Sequence, residues 1–456
     1  NLYRNNSFFV KQSIGIPLVR MTERDFSMAE LSAVYVGHLF EYNSWSKLYT
    51  DKYGTYTDER FERNDDGTFK SHTDTYYKDW LLSPTQSRDS LCERIITNRL
   101  FVQAQPWDRN GVVGTIDGGV GIDLHTYSDF ALNDYLSGKY QRVKKTAWFA
   151  YAGIDGKIRR YVDWGANFKL YPSGYRGGDF ELGARAAFTA FIKNKPFTLS
   201  GYFTQTATSP GYWTNRWLSN HYMWDNDLGK ISTTKVEAFL EIPRWKLDAS
   251  FGYALLSNNI YYDTQGIVQQ NSHPMSVMTA TLNKDFKVGM LHFDNQVLFQ
   301  YSSDKNVLPL PMLALNLRYY LQFDVVKKVM QMQIGAHGRF TTKWYAPAYN
   351  PVLGVFHNQD VHEYGNCPYI DAFVNIQWKR ASIFVKIVNV NMGWPNKSAD
   401  YFSASGYIAP QRAIKFGIHW PFYIQPGRGK SSTGTAGKGN MGGGPSLPGG
   451  LSGGGF

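Results

Sequence analysis

The chain has 456 residues, of which 43% are hydrophobic and 16% aromatic, and its formal net charge is +11. No apolar run reaches the roughly 18 residues that a membrane-spanning helix needs, so the sequence excludes a helical membrane protein. The basic residues are scattered among apolar ones, and we therefore expect no nucleic-acid partner.

Tyrosine and tryptophan are unusually abundant, with 31 and 13 copies. Soluble cores rarely need so many, whereas outer-membrane barrels place these rings at both membrane interfaces. The 43 glycines are also compatible with bulged, tilted strands. The composition favours an outer-membrane β-barrel, and its positive charge favours contact with anionic lipid head groups.

Alternation of apolar and polar residues predicts seventeen strands in this chain. In chain order they span 8–19, 33–45, 94–106, 112–126, 146–158, 162–172, 180–191, 197–205, 234–243, 246–256, 274–286, 291–302, 311–324, 329–342, 368–379, 381–389 and 409–422. Many are about 10–14 residues long, as a tilted strand needs in order to cross a bilayer. The predicted fold is an all-β, transmembrane, antiparallel up-and-down β-barrel with about 16–18 strands visible in this chain.

The connections alternate in length, which assigns the two sides of the membrane. Tight turns such as Asn194–Pro196 alternate with long polar loops at Ser46–Glu93, Gln205–Thr233 and Lys343–Cys367. Short turns of bacterial barrels lie in the periplasm and long loops lie outside. Because single-chain bacterial barrels have an even number of strands, we expect N-terminal strands that this chain lacks, or a miscount by one.

The chain divides into two predicted regions. Residues 1–423 form the barrel with its long extracellular loops, and residues 424–456 form a Gly-rich extension that is periplasmic or lumen-facing. Such a segment cannot bury enough apolar surface to offset its ordering entropy. It is either a disordered tail or a tail that occupies the lumen or binds a partner, with Leu447, Leu451 and Phe456 as anchors.

Charged residues recur at the polar positions of the predicted strands. The candidates for a pore lining are Asp117, Asp123, Glu181, Arg185, Lys235, Glu237, Glu241, Arg318, Arg339, Lys386 and Lys415. Their mixed signs leave two interpretations open. They either select solutes from the wall of a pore, or they pair into salt bridges that stabilise a closed or plugged barrel.

No catalytic, cofactor or metal site is predicted. The glycines at 118–121 lie inside an alternating strand rather than before a helix, so they do not predict a phosphate loop. His292, Asp294 and Ser302 lack the strained turn that presents a nucleophilic serine. The segment Asn64–Gly67 indicates a turn rather than a calcium site.

Several longer segments are similar to one family, the putative porin family of outer-membrane β-barrels from Bacteroidota. They are Gly252–Ile260, Gln300–Ser303, Leu308–Pro311, Leu315–Tyr320, Gln331–Gly335, Trp344–Asn350, Val374–Ala381, Gly393–Pro395 and Trp420–Tyr423. The resemblance runs from Ser7 to Tyr423 and implies a barrel with a pore role and no catalytic residues. Similar sequences usually carry additional N-terminal strands and tend to stop near Tyr423, which this chain passes.

The expected function is an outer-membrane, porin-like channel for small hydrophilic solutes in a Gram-negative bacterium. The alternative is a non-conducting barrel that serves as a subunit or platform of a larger outer-membrane assembly. The tail and the aromatic loop Gly211–Trp217 motivate that alternative, because partner surfaces favour aromatic residues and arginine. The expected partners are outer-membrane lipid, lipopolysaccharide, and other outer-membrane proteins or lipoproteins, without a cofactor.

Overall fold

The fold is taken from a computed structural model, which describes residues 1–17, 33–52, 81–83, 86–105, 112–130, 135, 139–394 and 402–420. The predicted turn at Asn64–Gly67 and the predicted tail anchors Leu447, Leu451 and Phe456 lie outside these residues. The Gly-rich extension, residues 424–456, therefore lies outside the described residues. Whether it is a disordered tail or a tail that occupies the lumen or binds a partner stays a prediction.

In the part of the chain that the structure describes, seventeen long strands form one sheet. In chain order they are β1 Leu2–Pro17, β2 Ala33–Lys52, β3 Gln86–Gln105, β4 Thr115–Phe130, β5 Tyr140–Ile158, β6 Val162–Gly174, β7 Phe180–Ile192, β8 Lys195–Thr208, β9 Ile231–Ile242, β10 Leu247–Ser257, β11 Met275–Val288, β12 Leu291–Ser302, β13 Leu313–Val326, β14 Met330–Thr341, β15 Tyr369–Trp378, β16 Ala381–Val388 and β17 Ala413–His419. Each corresponds to one predicted strand, so the predicted all-β antiparallel fold and its strand count are confirmed.

Every strand pairs antiparallel with its neighbours in chain order. Among the described residues, β1 and β17 each keep one unpaired edge, and the sheet does not close. With an odd count, these two edge strands run in the same direction, so they cannot pair antiparallel with each other.

The sheet has two faces of opposite character, because successive side chains of a strand point to opposite sides. On β4, Asp123 and His125 are buried, whereas the alternate residues Val120 and Leu124 are exposed. The pairing register carries these two sets across all seventeen strands, as Phe251 and Phe416 illustrate on the exposed side. We call the face of Val120 the apolar face and the face of Asp123 the polar face.

The connections that contain short elements of their own lie at one end of the strands, which we call the outer end. These elements are the helix α1 Tyr212–Asn215 and four hairpins, Arg216–Leu218 with Met223–Asp225, Ile260–Tyr262 with Val268–Gln270, Ala348–Asn350 with Val355–His357, and Phe402–Ala404 with Tyr407–Ile408. At the other end, tight turns such as Lys193–Asn194, with both φ angles positive, and the 3₁₀ turn Pro243–Trp245 join the strands. Within the described ranges, no helix is long and apolar enough to span a membrane.

The strands reach further outward than the sequence predicts. The predicted loop Ser46–Glu93 was wrong at both ends, since residues 46–52 of β2 pair in register with residues 86–92 of β3. Above the membrane there is no lipid to require strict alternation, so the period-two signal fades although the hydrogen-bonded ladder continues.

Contacts between distant strands show that the sheet is curled. The Lys47 ammonium on β2 donates a hydrogen bond to the carbonyl of Val352, in the connection between β14 and β15. In a flat sheet, twelve strand spacings of about 4.8 Å would separate these residues by roughly 58 Å. The polar face therefore lies on the inside of a curled sheet, and the apolar face lies outside.

A lysine placed on the apolar face is expected to block insertion into lipid. Val236, half-exposed on the apolar side of β9, lies beside Lys235 on the polar side. V236K should cost about 2–4 kcal/mol in the bilayer, and it should lower the fraction that refolds into vesicles as a heat-modifiable barrel. T233K, on the polar side of the same strand, is the control; equal yields of the two variants would contradict this orientation.

Candidate functional site

The polar face is the candidate site, and all eleven predicted pore-lining residues lie on it. The register shows this directly, because Asp123 pairs with Thr97 and Ala147, Glu181 pairs with Lys169, and Lys386 pairs with Lys415. The structure thus brings these residues to one side of the sheet. It also separates them into groups with different partners.

Five of the eleven form ion pairs. Arg185 binds Asp163 at 2.9 Å, and Lys235 binds Glu237 on the same strand at 2.9 Å. Arg339 and Lys386 both bind Asp371, a residue that the sequence did not single out. These five charges are therefore matched by partners of opposite charge on the polar face.

Asp371 is the most deeply placed charge of the polar face. It is fully buried, with Lys386 Nζ at 2.7 Å and Arg339 Nη2 at 3.5 Å from Oδ2. Its other oxygen accepts a hydrogen bond of 2.9 Å from the backbone N–H of Asn389. The carboxylate therefore holds two cations and the outer end of β16 together.

Two other candidates, Arg318 and Asp123, form no ion pair among the described residues and contact aromatic rings or uncharged groups instead. The Arg318 guanidinium lies 4.9 Å from the ring centroid of Tyr320 and 5.0 Å from that of Phe373. Asp123 accepts hydrogen bonds from the Thr97 hydroxyl at 2.6 Å and the Tyr171 hydroxyl at 3.1 Å. Neither charge has an oppositely charged group within ion-pair distance in the part of the chain that the structure describes.

A cavity of about 310 Å³ lies against the polar face of β2–β7. Its lining includes Glu41, Arg99, Asp117, Asp123, Lys169 and Glu181, together with Thr97, Phe149, Tyr151 and Asn167. We call it the wall cavity. It contains three of the predicted pore-lining residues, and it adds Glu41, Arg99 and Lys169, which alternation alone did not distinguish from other polar positions.

Glycines beside the wall cavity let aromatic rings lie flat against the sheet. A Cβ atom at Gly121 would stand 2.3 Å from the Phe149 ring, and one at Gly119 would stand 2.9 Å from the Tyr151 ring. Gly119 and Gly121 therefore make room for aromatic side chains within strand β4. Flat rings leave more room above the wall than upright ones.

Two cations of the wall cavity lie over these rings. Lys169 Nζ is 4.2 Å from the centroid of Phe149, and the Arg99 guanidinium carbon is 5.0 Å from the centroid of Tyr151. Attraction between a cation and the negative ring face favours this arrangement. The cations are thereby held at the wall by rings rather than by carboxylates.

Loops from the outer end cover part of the polar face. Residues 209–230, 258–274 and 342–368, which we call the loop cap, pack on the outer ends of β2–β5. Their core includes Trp213, Trp224, Val268 and Leu353 against Leu91 and Tyr127 of the strands. The Tyr212 ring stacks on Tyr127 at a centroid distance of 4.0 Å.

The aromatic loop Gly211–Trp217 does not offer the partner surface expected from the sequence. Tyr212, Trp213 and Trp217 are buried in the loop cap, with at most 8% of each residue exposed. Aromatic residues serve internal cores and external interfaces equally well, so the loop's composition does not distinguish the two. The expectation built on this loop was wrong.

Asn220 is the polar anchor of the loop cap. Its Oδ1 accepts hydrogen bonds from the backbone N–H groups of Leu82 and Ser83 at 2.9 and 2.8 Å. Its Nδ2 donates to the Ser83 carbonyl and the Ser87 hydroxyl, both at 2.8 Å, and its own N–H donates to Asp89. The residue is fully buried, so the loop is fastened to the outer end of β3.

A second anchor joins the β6–β7 turn to the start of the loop cap. Asp179 accepts hydrogen bonds from Lys230 at 2.6 Å, from the Ser209 hydroxyl at 2.7 Å and from Arg176 at 2.9 Å. Burial alone would raise the pKa of the Asp179 carboxyl, but these donors outweigh burial and hold its pKa below the ordinary value.

Acid is expected to release this anchor. A carboxyl with a depressed pKa stabilises the folded state above the ordinary value of about 3.9, and this stabilisation is lost as pH falls through the folded-state pKa. Amides of residues 209–230, corrected for intrinsic exchange rate, should keep their protection from pH 7 to 5 and lose it progressively as pH falls below about 3.9 toward the lowered pKa of the folded state. D179N should lack the protection at every pH; wild-type protection at pH 7 that does not exceed that of D179N would contradict the expectation.

The structure supports no nucleophilic triad or metal centre in the part it describes. His292 and Ser302 lie at opposite ends of β12, about 33 Å apart at 3.3 Å per residue, and cannot act together. Across the described ranges, no three side chains of His, Cys, Asp or Glu assemble as a metal site.

Comparison with known proteins identifies a family and a fold. Residues 1–424 match the family model described as "Putative porin". No curated protein matches the sequence of the chain.

Solved structures with a similar fold are outer-membrane receptors and transporters. A ferric enterobactin receptor mutant from Pseudomonas aeruginosa, in complex with enterobactin, has a TM-score of 0.53 at 13% identity over 91% of this chain and 62% of its own. The copper transporter OprC has a TM-score of 0.53 at 12% identity, over 91% of this chain and 64% of its own. The siderophore receptor PirA from Acinetobacter baumannii has a TM-score of 0.51 at 12% identity, over 91% and 62%. The chain spans less than two thirds of these structures.

Proposed function

This chain belongs to the putative porin family, and we propose that it forms a route through the outer membrane for small hydrophilic solutes. The chain is an outer-membrane barrel of the transport type. The route would follow the polar face, and the apolar face would contact lipid and lipopolysaccharide.

The charged polar face is the observation that supports this function most strongly. Charged residues lie on the polar face at many depths, and several of them, including Asp117, Asp123 and Arg318, have no ion pair among the described residues. A wall built only for stability would leave few charges unpaired, since an unpaired buried charge is costly. A wet, charged wall favours solute passage.

The loop cap makes this route narrow or gated at its outer end. Its aromatic core and the Asn220 anchor lie over the outer ends of β2–β5. A solute entering from outside would pass beside the cap or require its displacement.

Planar-bilayer conductance tests the proposal. Steady, salt-dependent conductance of the native protein supports the route, and conductance that appears only in a version ending at Tyr423 would make the extension a plug. Absence of conductance in both versions and in N220A, which removes the Asn220 anchor of the loop cap, would reject the proposal.

An assembly platform is the second candidate function, and exposed apolar residues of the outer loops favour it. Val361 is 90% exposed, and Phe356, Ile408 and Trp394 are also exposed. Outer-membrane proteins or lipoproteins are the partners that this surface would accept. A stoichiometric partner in mild detergent, lost in F356S combined with I408S but kept in V236T, would support this candidate over a channel.

A further inference from the structure

The wall cavity holds charges of both signs that form no ion pair with each other among the described residues. Lys169 pairs directly across from Glu181 in the strand register. Opposed side chains of this kind start about 4.5–5.5 Å apart, close enough to form a salt bridge. Instead, the Lys169 ammonium lies over the Phe149 ring, and Glu181 is left without it.

The other charges of the wall cavity repeat this pattern. Among the described residues, no lysine or arginine nitrogen lies within 4.0 Å of the carboxylates of Glu41, Asp117, Asp123 or Glu181. Arg99 lies over Tyr151, and its buried Nε has no hydrogen-bond partner. The cavity therefore offers unsatisfied donors and unpaired acceptors at once.

On the polar face outside the wall cavity, charged residues do form ion pairs, so the lack of ion pairs is specific to the cavity. Outside the cavity, Arg185 pairs with Asp163 and Lys235 pairs with Glu237. The sheet thus forms ion pairs where strand geometry allows, whereas in the wall cavity aromatic rings hold the cations apart from the carboxylates.

We propose that the wall cavity is a binding subsite for a small zwitterionic solute, an α-amino acid or a short peptide. This inference rests on the proposed transport function. The solute's carboxylate binds Arg99 and Lys169, and its ammonium group binds Glu181 and Asp117.

Other solute classes match this cavity less well. A simple cation leaves Arg99 and Lys169 unmatched, a simple anion leaves the carboxylates unmatched, and a neutral sugar leaves both sets without a counter-charge. One zwitterion satisfies both signs together, and a cavity of about 310 Å³ is at the small end of the range for ligand sites.

Liposome swelling tests the subsite through solute preference. Vesicles carrying the native protein should admit L-glutamine at least threefold faster than D-arabinose, a neutral solute of similar size. E181Q and K169M should each remove most of this preference. D324N, which deletes an exposed carboxylate at the inner end of β13, should keep it.

The outcomes separate the subsite from the route. Equal rates of entry for both solutes in native protein would overturn the zwitterion subsite but not the transport proposal. A preference for glutamine that E181Q leaves unchanged would have the same meaning. If K169M removes the preference and E181Q does not, the cavity is an anion site, which also overturns the zwitterion subsite. If neither solute enters vesicles that carry the native protein, the version ending at Tyr423 or N220A, the transport proposal fails. Dialysis of labelled glutamine against detergent-solubilised protein still decides the subsite: E181Q-sensitive binding supports it, and absence of binding rejects it.

Discussion

Replacing Asn220 with alanine is expected to open the loop cap while the seventeen-stranded sheet stays folded. The side chain satisfies the N–H groups of Leu82 and Ser83, the Ser83 carbonyl and the Ser87 hydroxyl in a fully buried site. Each buried polar group left without a partner costs about 1–3 kcal/mol. Several such losses exceed what a small loop assembly can absorb, whereas the strand ladders do not depend on this residue.

Two measurements detect the opening of the cap. Conductance of N220A should rise severalfold over native protein, and trypsin should cleave after Arg216 at least tenfold faster. N226A is the control, because Asn226 lies in the same loop and, among the described residues, only its backbone forms a hydrogen bond. Native-like conductance and cleavage in N220A would show that the cap is held by other contacts.

The strands were predictable from sequence because their signal is local. Apolar and polar residues alternate along each strand, so Leu313 to Asp324 identifies its own two faces without reference to any other segment. The same alternation placed all eleven candidates on the polar face, since the pleat fixes which side a residue occupies. Their roles as pore-lining residues stay predictions.

The partners of those residues were not predictable, because they come from distant parts of the chain. Lys386 and Arg339 meet at Asp371 only once three strands are in register. Lys169 has Glu181 directly opposite and still lies over Phe149. Pairing choices of this kind depend on side-chain conformation and on the glycines beneath the rings, which alternation does not encode.

The loop cap was missed for a related reason. Its segments have no periodicity, and its anchors join residues more than a hundred positions apart, as Asn220 and Ser83 do. The abundant rings of Tyr212, Trp213 and Trp217 indicated buried area but not whether the protein itself or a partner would bury it. Only the folded structure shows that the outer ends of β2–β5, and not a partner, cover these rings.

Removing the charge of Asp371 is expected to destabilise the sheet near β14–β16 and to shift ion selectivity toward anions. D371N keeps an oxygen for the Asn389 N–H but leaves Arg339 and Lys386 without their counter-charge, beside Lys415. Breaking a buried ion pair costs about 3–5 kcal/mol. Since Arg339 and Lys386 keep 52% and 32% of their side chains exposed, solvent screening should bring the loss toward the lower end of that range.

Stability and selectivity together distinguish this role from simple packing. Heat-modifiability on gels should show a lower unfolding temperature for D371N than for D163N. Asp163 also binds two cations, Lys157 and Arg185, but these pairs are partly exposed to solvent and contribute about 0–1 kcal/mol each. Reversal potentials in a salt gradient should move toward the anion value in D371N. Adding K386M to D371N removes one uncompensated cation. The double variant should therefore recover part of the unfolding temperature and part of the reversal potential of the native protein. If D371N matches D163N in both measurements, Asp371 neither holds the two strands nor sets the charge of the polar face, and the ion-paired wall loses its central member.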